Sequence, residues 1–248
     1  MLLSFVRLAE AMWWIDVALT ILIGLAFPVV IFTRHRHELG GVNGVMLQPF
    51  VAAVVAAASG GIVASVLPAD RARVVILASC VISRRSHRRC SYAILGFGLP
   101  VALLIMALYL LRLITHIIPP KEQVHCSRVG ALTHQIVSVF LPLGPCGQGA
   151  FGLIQLATVQ RKLAYDGAEP MFLPSVASIA EGQTVASALY ICSTVLALAL
   201  WGFGLFWLIG ALGMLADTAI RERALPFNLG WWGFTFPLVC LAPCSWTS

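Results

Sequence analysis

Leu141-Pro142-Leu143-Gly144-Pro145-Cys146-Gly147-Gln148-Gly149-Ala150-Phe151-Gly152-Leu153-Ile154-Gln155-Leu156 lies inside an apolar run long enough to cross a bilayer. It nevertheless holds two prolines, four glycines and two glutamines. Proline removes a helix hydrogen bond, glycine weakens a helix, and a carboxamide facing hydrocarbon is costly. A helix that faced only lipid would gain nothing from these residues. Irregular, polar backbone at membrane depth is tolerated where it is buried in protein or lines a cavity. The stretch is therefore expected to form the wall of a path, with the rest of the chain as its support.

The composition agrees. Hydrophobic residues make up 60% of the 248 and charged residues 10%, and the mean hydropathy is +0.92. A soluble domain is about half apolar and a quarter charged. The apolar runs continue for about twenty residues without the strict alternation of a barrel strand, so the fold expected is an all-α polytopic membrane protein. Residues 1–248 are read as one transmembrane domain. No cleavable signal peptide is expected, because Arg7 and Glu10 come early and a full-length span follows without a small-residue cleavage site.

The net charge of +6 sits in short clusters between the apolar runs: Arg34 and Arg36, Arg71 and Arg73, Arg161 and Lys162, Arg221 and Arg223. Juxtamembrane anchoring explains such clusters, and without a soluble basic face no nucleic-acid partner is expected. The seven cysteines show no CxxC pair, and those within apolar runs, such as Cys146 and Cys192, read as small hydrophobes. His35 and His37 are flanked by arginines and are not at helical i, i+4 spacing, so no metal is expected.

In chain order, the first span covers about 11–32, with Trp13 and Trp14 expected at a membrane interface and Asp16 turned to protein or water. The second, about 45–67, is almost all small from Ala52 to Ala58, continues through Ser59-Gly60-Gly61 and stops at Pro68. Such residues let backbones approach closely and leave room for a substrate. A third span starts at 74–79 and resumes over 92–111, interrupted by residues 80–91 with four arginines. The fourth, about 136–159, carries the opening stretch. The fifth, about 185–215, is bulky, and its segment 201–207 is expected to pack aromatic rings against lipid. A charged turn is expected over 217–224, and a sixth span begins at Pro226 without room to finish. Bulky spans one, three and five thus alternate with small, Gly/Pro-broken spans two, four and six. This is the pattern of an inner ring shielded by an outer ring.

No enzymatic chemistry is expected. The polar residues at membrane depth are Asp16, Gln48, Gln148 and Gln155, without a His pair or a Ser/Lys couple at useful spacing.

Several motifs together resemble a known family. They are Trp13-Trp14-Ile15-Asp16, residues 57–64, Pro119-Pro120-Lys121-Glu122, residues 136–145, Gly147-Gln148-Gly149, and residues 227–237 with Trp231-Trp232-Gly233-Phe234-Thr235-Phe236-Pro237. Across most of the chain they resemble the fungal sulfite efflux pumps. These belong with the tellurite-resistance and C4-dicarboxylate (malate) transporters and the plant slow anion channels. The resemblance implies a ten-helix pore of five helical hairpins with the odd helices inside, of which this chain would supply about helices four to nine. It also implies a plasma-membrane homotrimer and a pore phenylalanine on the ninth helix, for which Phe236 is preferred to Phe234 and Phe227.

The pore-lining set expected is Ser59, Gly60, Gly61, Pro142, Gly144, Pro145, Gly147, Gln148, Gly149, Phe234, Phe236 and Pro237, with Phe236 as gate. The cargo implied is a small anion, sulfite or bisulfite exported across the plasma membrane. Malate or another C4-dicarboxylate, an anion channel, and a non-functional truncated product are the alternatives. No cofactor is expected, and the surrounding partner is lipid. Passage would depend on partial positive charge at broken-helix termini and on donors such as Ser59 and Gln148, with basic loops concentrating the ion. Three segments depart from the family pattern and read as retained-intron or mis-predicted sequence: 80–91, 124–135 and the tail 239–248. Removing the first rejoins one helix, and removing the second joins Gln123 to Ile136.

Overall fold

A computed structural model describes residues 2–34, 42, 44–68, 72, 75, 93–115, 138–166, 179–222 and 233–241. Among these there is no strand, and five helices are long and apolar enough to cross a membrane. They are α1 (Leu2–Arg34), α2 (Gln48–Val66, entered through a 3-10 turn at Gly44–Leu47), α3 (Ala93–Thr115), α4 (Leu143–Tyr165) and α5 (Ile179–Glu222). A short α6 (Thr235–Leu241) follows. The segments 80–91 and 124–135, His35, His37 and Phe227 lie outside the described residues. Of the tail, Val239–Leu241 are described and continue α6.

The order of burial follows residue size. The share of each span's core that is buried is 17% in α1 and 28% in α5, 39% in α3, 50% in α2 and 72% in α4. The small-residue helices α2 and α4 are thus inside and the bulky ones outside. Among the helices, α2 packs against α1, α3 and α4, while α4 also packs against α5 and α6. Without a hydrophobic drive between helices in lipid, contact depends on close backbone approach, which small residues permit. At Gly98 of α3 an added Cβ would lie 2.7 Å from the Ala53 Cβ and 2.9 Å from the Phe50 carbonyl oxygen, both on α2. At Gly152 of α4 it would lie 3.2 Å from the Ala58 Cβ.

Several expectations need correction. Trp13 does not lie on the surface of the bundle: it is 4% exposed, and its Nε1 donates a 2.8 Å hydrogen bond to the Ala56 carbonyl of α2. A buried indole N–H needs an acceptor, and the glycine-bearing face of α2 leaves room for the ring beside a backbone oxygen. Trp14 is half-buried and meets Trp13 edge to face at 5.2 Å, while Asp16 is exposed. In the 201–207 segment, Phe206 is exposed, but Trp207 is 2% exposed and stacks on Tyr109 of α3 with ring centroids 5.8 Å apart and planes within 6°. The charged turn over 217–224 is absent through Glu222: α5 runs for 44 residues, about 66 Å at 1.5 Å per residue and twice the hydrocarbon thickness. Asp217 and Arg221 do not end the helix, because a charged side chain leaves the backbone hydrogen-bond ladder intact.

The break in the opening stretch is narrower than its composition implies. A helical turn at 138–140 ends at Leu141-Pro142, where the Gly144 amide donates to the Leu141 carbonyl at 3.0 Å, and α4 then continues unbroken. Pro145 falls in the first turn of α4, where a missing N–H costs nothing. The glycines that follow are helical, held by the neighbours pressed against them.

Candidate functional site

Gly144 is where α2, α4 and α6 converge. A Cβ there would lie 3.2 Å from the Phe236 Cε1 of α6 and 3.9 Å from the Val51 Cγ1 of α2. The Phe236 ring therefore rests over bare backbone of α4 beside α2, and the residue remains 44% exposed. Phe234, two residues earlier, is 9% exposed and packs edge to face on Phe140 at 4.5 Å. Pro237 is fully buried.

The other members of the expected lining set divide. Gly60 accommodates Trp13, whose ring would meet an added Cβ at 2.8 Å, and Gly61 faces the Gln155 Cβ at 3.0 Å. Gly149 is turned to Leu99 and Leu200. Pro142, Pro145 and Gly147 are buried. Ser59 and Gln148 are half-buried on open faces of α2 and α4. The Ser59 hydroxyl donates to the Ala56 carbonyl at 3.1 Å, so as placed it offers lone pairs outward. Gln148 makes no hydrogen bond among the described residues and keeps its amide donors available.

Two stripes that the residue list does not anticipate complete the picture. On α2, Gln48, Ala52, Val55, Ser59, Ile62 and Val66 are half-buried or exposed, stepping by four and three residues along one face. On α4 the matching stripe is Gln148, Phe151, Gln155, Thr158, Lys162 and Tyr165. The α2–α4 seam runs between them, through Ala58 against Gly152 and Gly61 against Gln155. At the far end of α4 the Arg161 guanidinium lies 4.5 Å over the Tyr190 ring, and the Tyr165 and Ser187 hydroxyls are 3.3 Å apart, fastening α4 to α5. The sequence signal for the α4 stripe is the seven-residue recurrence of polar side chains at 148, 155 and 162.

Among the described residues no group of three or more His, Cys, Asp or Glu could hold a metal. What the stripes can offer a passing solute is hydrogen bonding from neutral groups, with one cation at Lys162 and an aromatic ring at Gly144.

These features define a multi-pass α-helical membrane protein with an inner layer of small-residue helices. The chain belongs to the SLAC1 voltage-dependent anion channel family, whose pattern matches residues 2–247. It is 34% identical over 232 residues to the sulfite efflux pump SSU1 of Trichophyton rubrum, covering 94% of this chain and 52% of that protein. The figures are the same for the sulfite efflux pump SSU1 of Arthroderma benhamiae. The Saccharomyces cerevisiae protein of that name is 28% identical over 149 residues, 54% of this chain and 29% of its own length. The chain thus spans about half the length of the first of these relatives, at 52%. No solved structure matches it.

Proposed function

We propose that the chain forms one side of a pore that carries small anions, sulfite or bisulfite, out of the cell across the plasma membrane. The observation that carries this reading is the convergence of α2, α4 and α6 at Gly144, where the Phe236 ring covers bare backbone at the head of a polar stripe that is uncharged until Lys162 at its far end. Family membership and the efflux-pump names of the relatives support the cargo.

An anion crossing the bilayer must exchange its water for other donors. Fixed cations at mid-membrane would hold it too firmly, whereas neutral donors at several stations bind and release. The described residues of α2 and α6 carry no charge, and α4 carries Arg161 and Lys162 only in its last turns. Gln148 is the donor nearest the Phe236 end of the stripe. Ser59 joins it once its hydroxyl rotates away from Ala56. Phe236 closes the path at Gly144 and opens it by turning its ring. We extend the proposal to a homotrimer, as the resemblance implies; chemical crosslinking in membranes would reveal it.

The test is growth on sulfite of yeast lacking its own sulfite efflux pump. Membrane-inserted chain is expected to restore growth and to lower intracellular sulfite. Insertion at normal level without rescue would refute the reading, and malate uptake in place of sulfite efflux would move the cargo to a C4-dicarboxylate.

A further inference from the structure

The side chains at 148, 155 and 162 share one line on α4. A seven-residue step returns within about 20° of the same direction and advances about 10.5 Å along the axis. Gln148, Gln155 and Lys162 are therefore three polar stations at regular intervals, with Phe151 between the first two and Thr158 between the last two. Gln148 and Gln155 are half-buried, and Thr158 and Lys162 are exposed. None of the four side chains has a hydrogen bond or ion pair among the described residues.

This arrangement is out of place on the most buried helix of the bundle unless it faces water or a polar solute. Packing against another helix would be served better by Leu or Ala, and lipid would penalise both carboxamides. The two cations at the end of α4 are also unlike each other. Arg161 is committed to the Tyr190 ring at 4.5 Å, whereas Lys162 projects at the foot of the stripe.

We propose that Gln155, with Thr158, forms a second anion-binding station two helical turns from Gln148, and that Lys162 draws anions to the mouth of that ladder. The proposal rests on the anion-transport reading above. Gln155 is the specificity-determining residue. Its amide hydrogens and the Thr158 hydroxyl replace water around a small oxyanion, and the close approach of Gly61 to its Cβ holds the base of the side chain at the edge of the α2–α4 seam. Being neutral, the station favours an anion over a cation only by the orientation of its dipoles, which keeps release fast. Lys162 raises the local anion concentration within about a Debye length of the mouth, roughly 8 Å at physiological salt.

Two measurements on the full 248-residue chain in yeast membranes test this. First, Gln155→Cys and Thr158→Cys are treated with a hydrophilic maleimide and labelling is read by peptide mass spectrometry, with buried Cys146 and outward-facing Cys192 as internal references. The new thiols are expected to react at least about tenfold faster than either reference, since reaction needs water and a thiolate. Second, Gln155→Glu is expected to lower sulfite efflux at least about tenfold by placing a like charge in the path. Gln155→Asn, which keeps the carboxamide one methylene back, should fall between the two. Thiols at 155 and 158 that react no faster than Cys146 overturn the ladder, as does undiminished efflux in Gln155→Glu. No efflux from the unaltered chain instead overturns the transport reading, and the cargo of the ladder with it.

Discussion

Gly96 and Gly98 stand two residues apart on α3, and replacing each with alanine should have opposite effects. At Gly98 the new methyl would lie 2.7 Å from the Ala53 Cβ and 2.9 Å from the Phe50 carbonyl oxygen, against an ordinary carbon contact of about 3.5 to 4.0 Å. The obstacle includes the backbone of α2, which cannot swing aside as a side chain does. Relief requires α2 and α3 to part by about 1 Å, which forfeits a quarter to a half of each affected contact. Overpacking costs about 1 to 3 kcal/mol, and a backbone obstacle places Gly98→Ala near the upper end. At Gly96 nothing lies within 4 Å. Alanine there should gain about 0.5 to 1 kcal/mol from helix propensity. The two variants should thus differ by about 3 kcal/mol, or roughly a hundredfold in the unfolding equilibrium. Unfolding in mixed micelles by added SDS, followed by tryptophan fluorescence, measures the difference. Adding Ala53→Gly to Gly98→Ala should recover only part of the loss, because the Phe50 carbonyl remains. Equal stability of Gly96→Ala and Gly98→Ala would refute the close approach of α2 and α3, and with it the placement of the α2 wall.

Trp13→Phe keeps the ring over Gly60 but loses the 2.8 Å bond to the Ala56 carbonyl, and should cost about 1 kcal/mol in the same titration. Phe236→Ala, at a residue 44% exposed, should cost about 1 kcal/mol or less yet raise sulfite efflux per molecule. Phe234→Ala removes a ring that is 9% exposed and packed on Phe140, and should cost about 3 kcal/mol without raising efflux. A chain lacking residues 80–91 and 124–135 together should accumulate in membranes at least as well as the 248-residue chain and rescue growth on sulfite better. Poorer accumulation, or transcripts that retain both segments throughout, would show that they belong to the fold.

The helical membrane class is legible in the sequence because the bilayer allows few alternatives: apolar runs without strand alternation must satisfy their backbone internally. The inner position of α2 and α4 is legible for a related reason, since helices that approach closely on several sides need small residues. What composition does not reveal is the object of each close approach. Gly60, Gly61, Gly144 and Gly149 look alike in sequence, yet they face an indole, a glutamine stem, a phenylalanine ring and two leucines respectively. Trp13 was equally opaque, because the acceptor of its N–H lies 43 residues along the chain. Charge misleads differently: Asp217 signals water but does not end a helix, so α5 outruns the expected span. The same holds at α4, where continuation through Arg161 and Lys162 brings position 162 onto the line of 148 and 155. Small residues therefore identify which helix is inside, and the polar heptad identifies which of its faces is open. The two signals meet on the stretch from Gly144 to Lys162, and only the length of α4 shows that they belong to one surface.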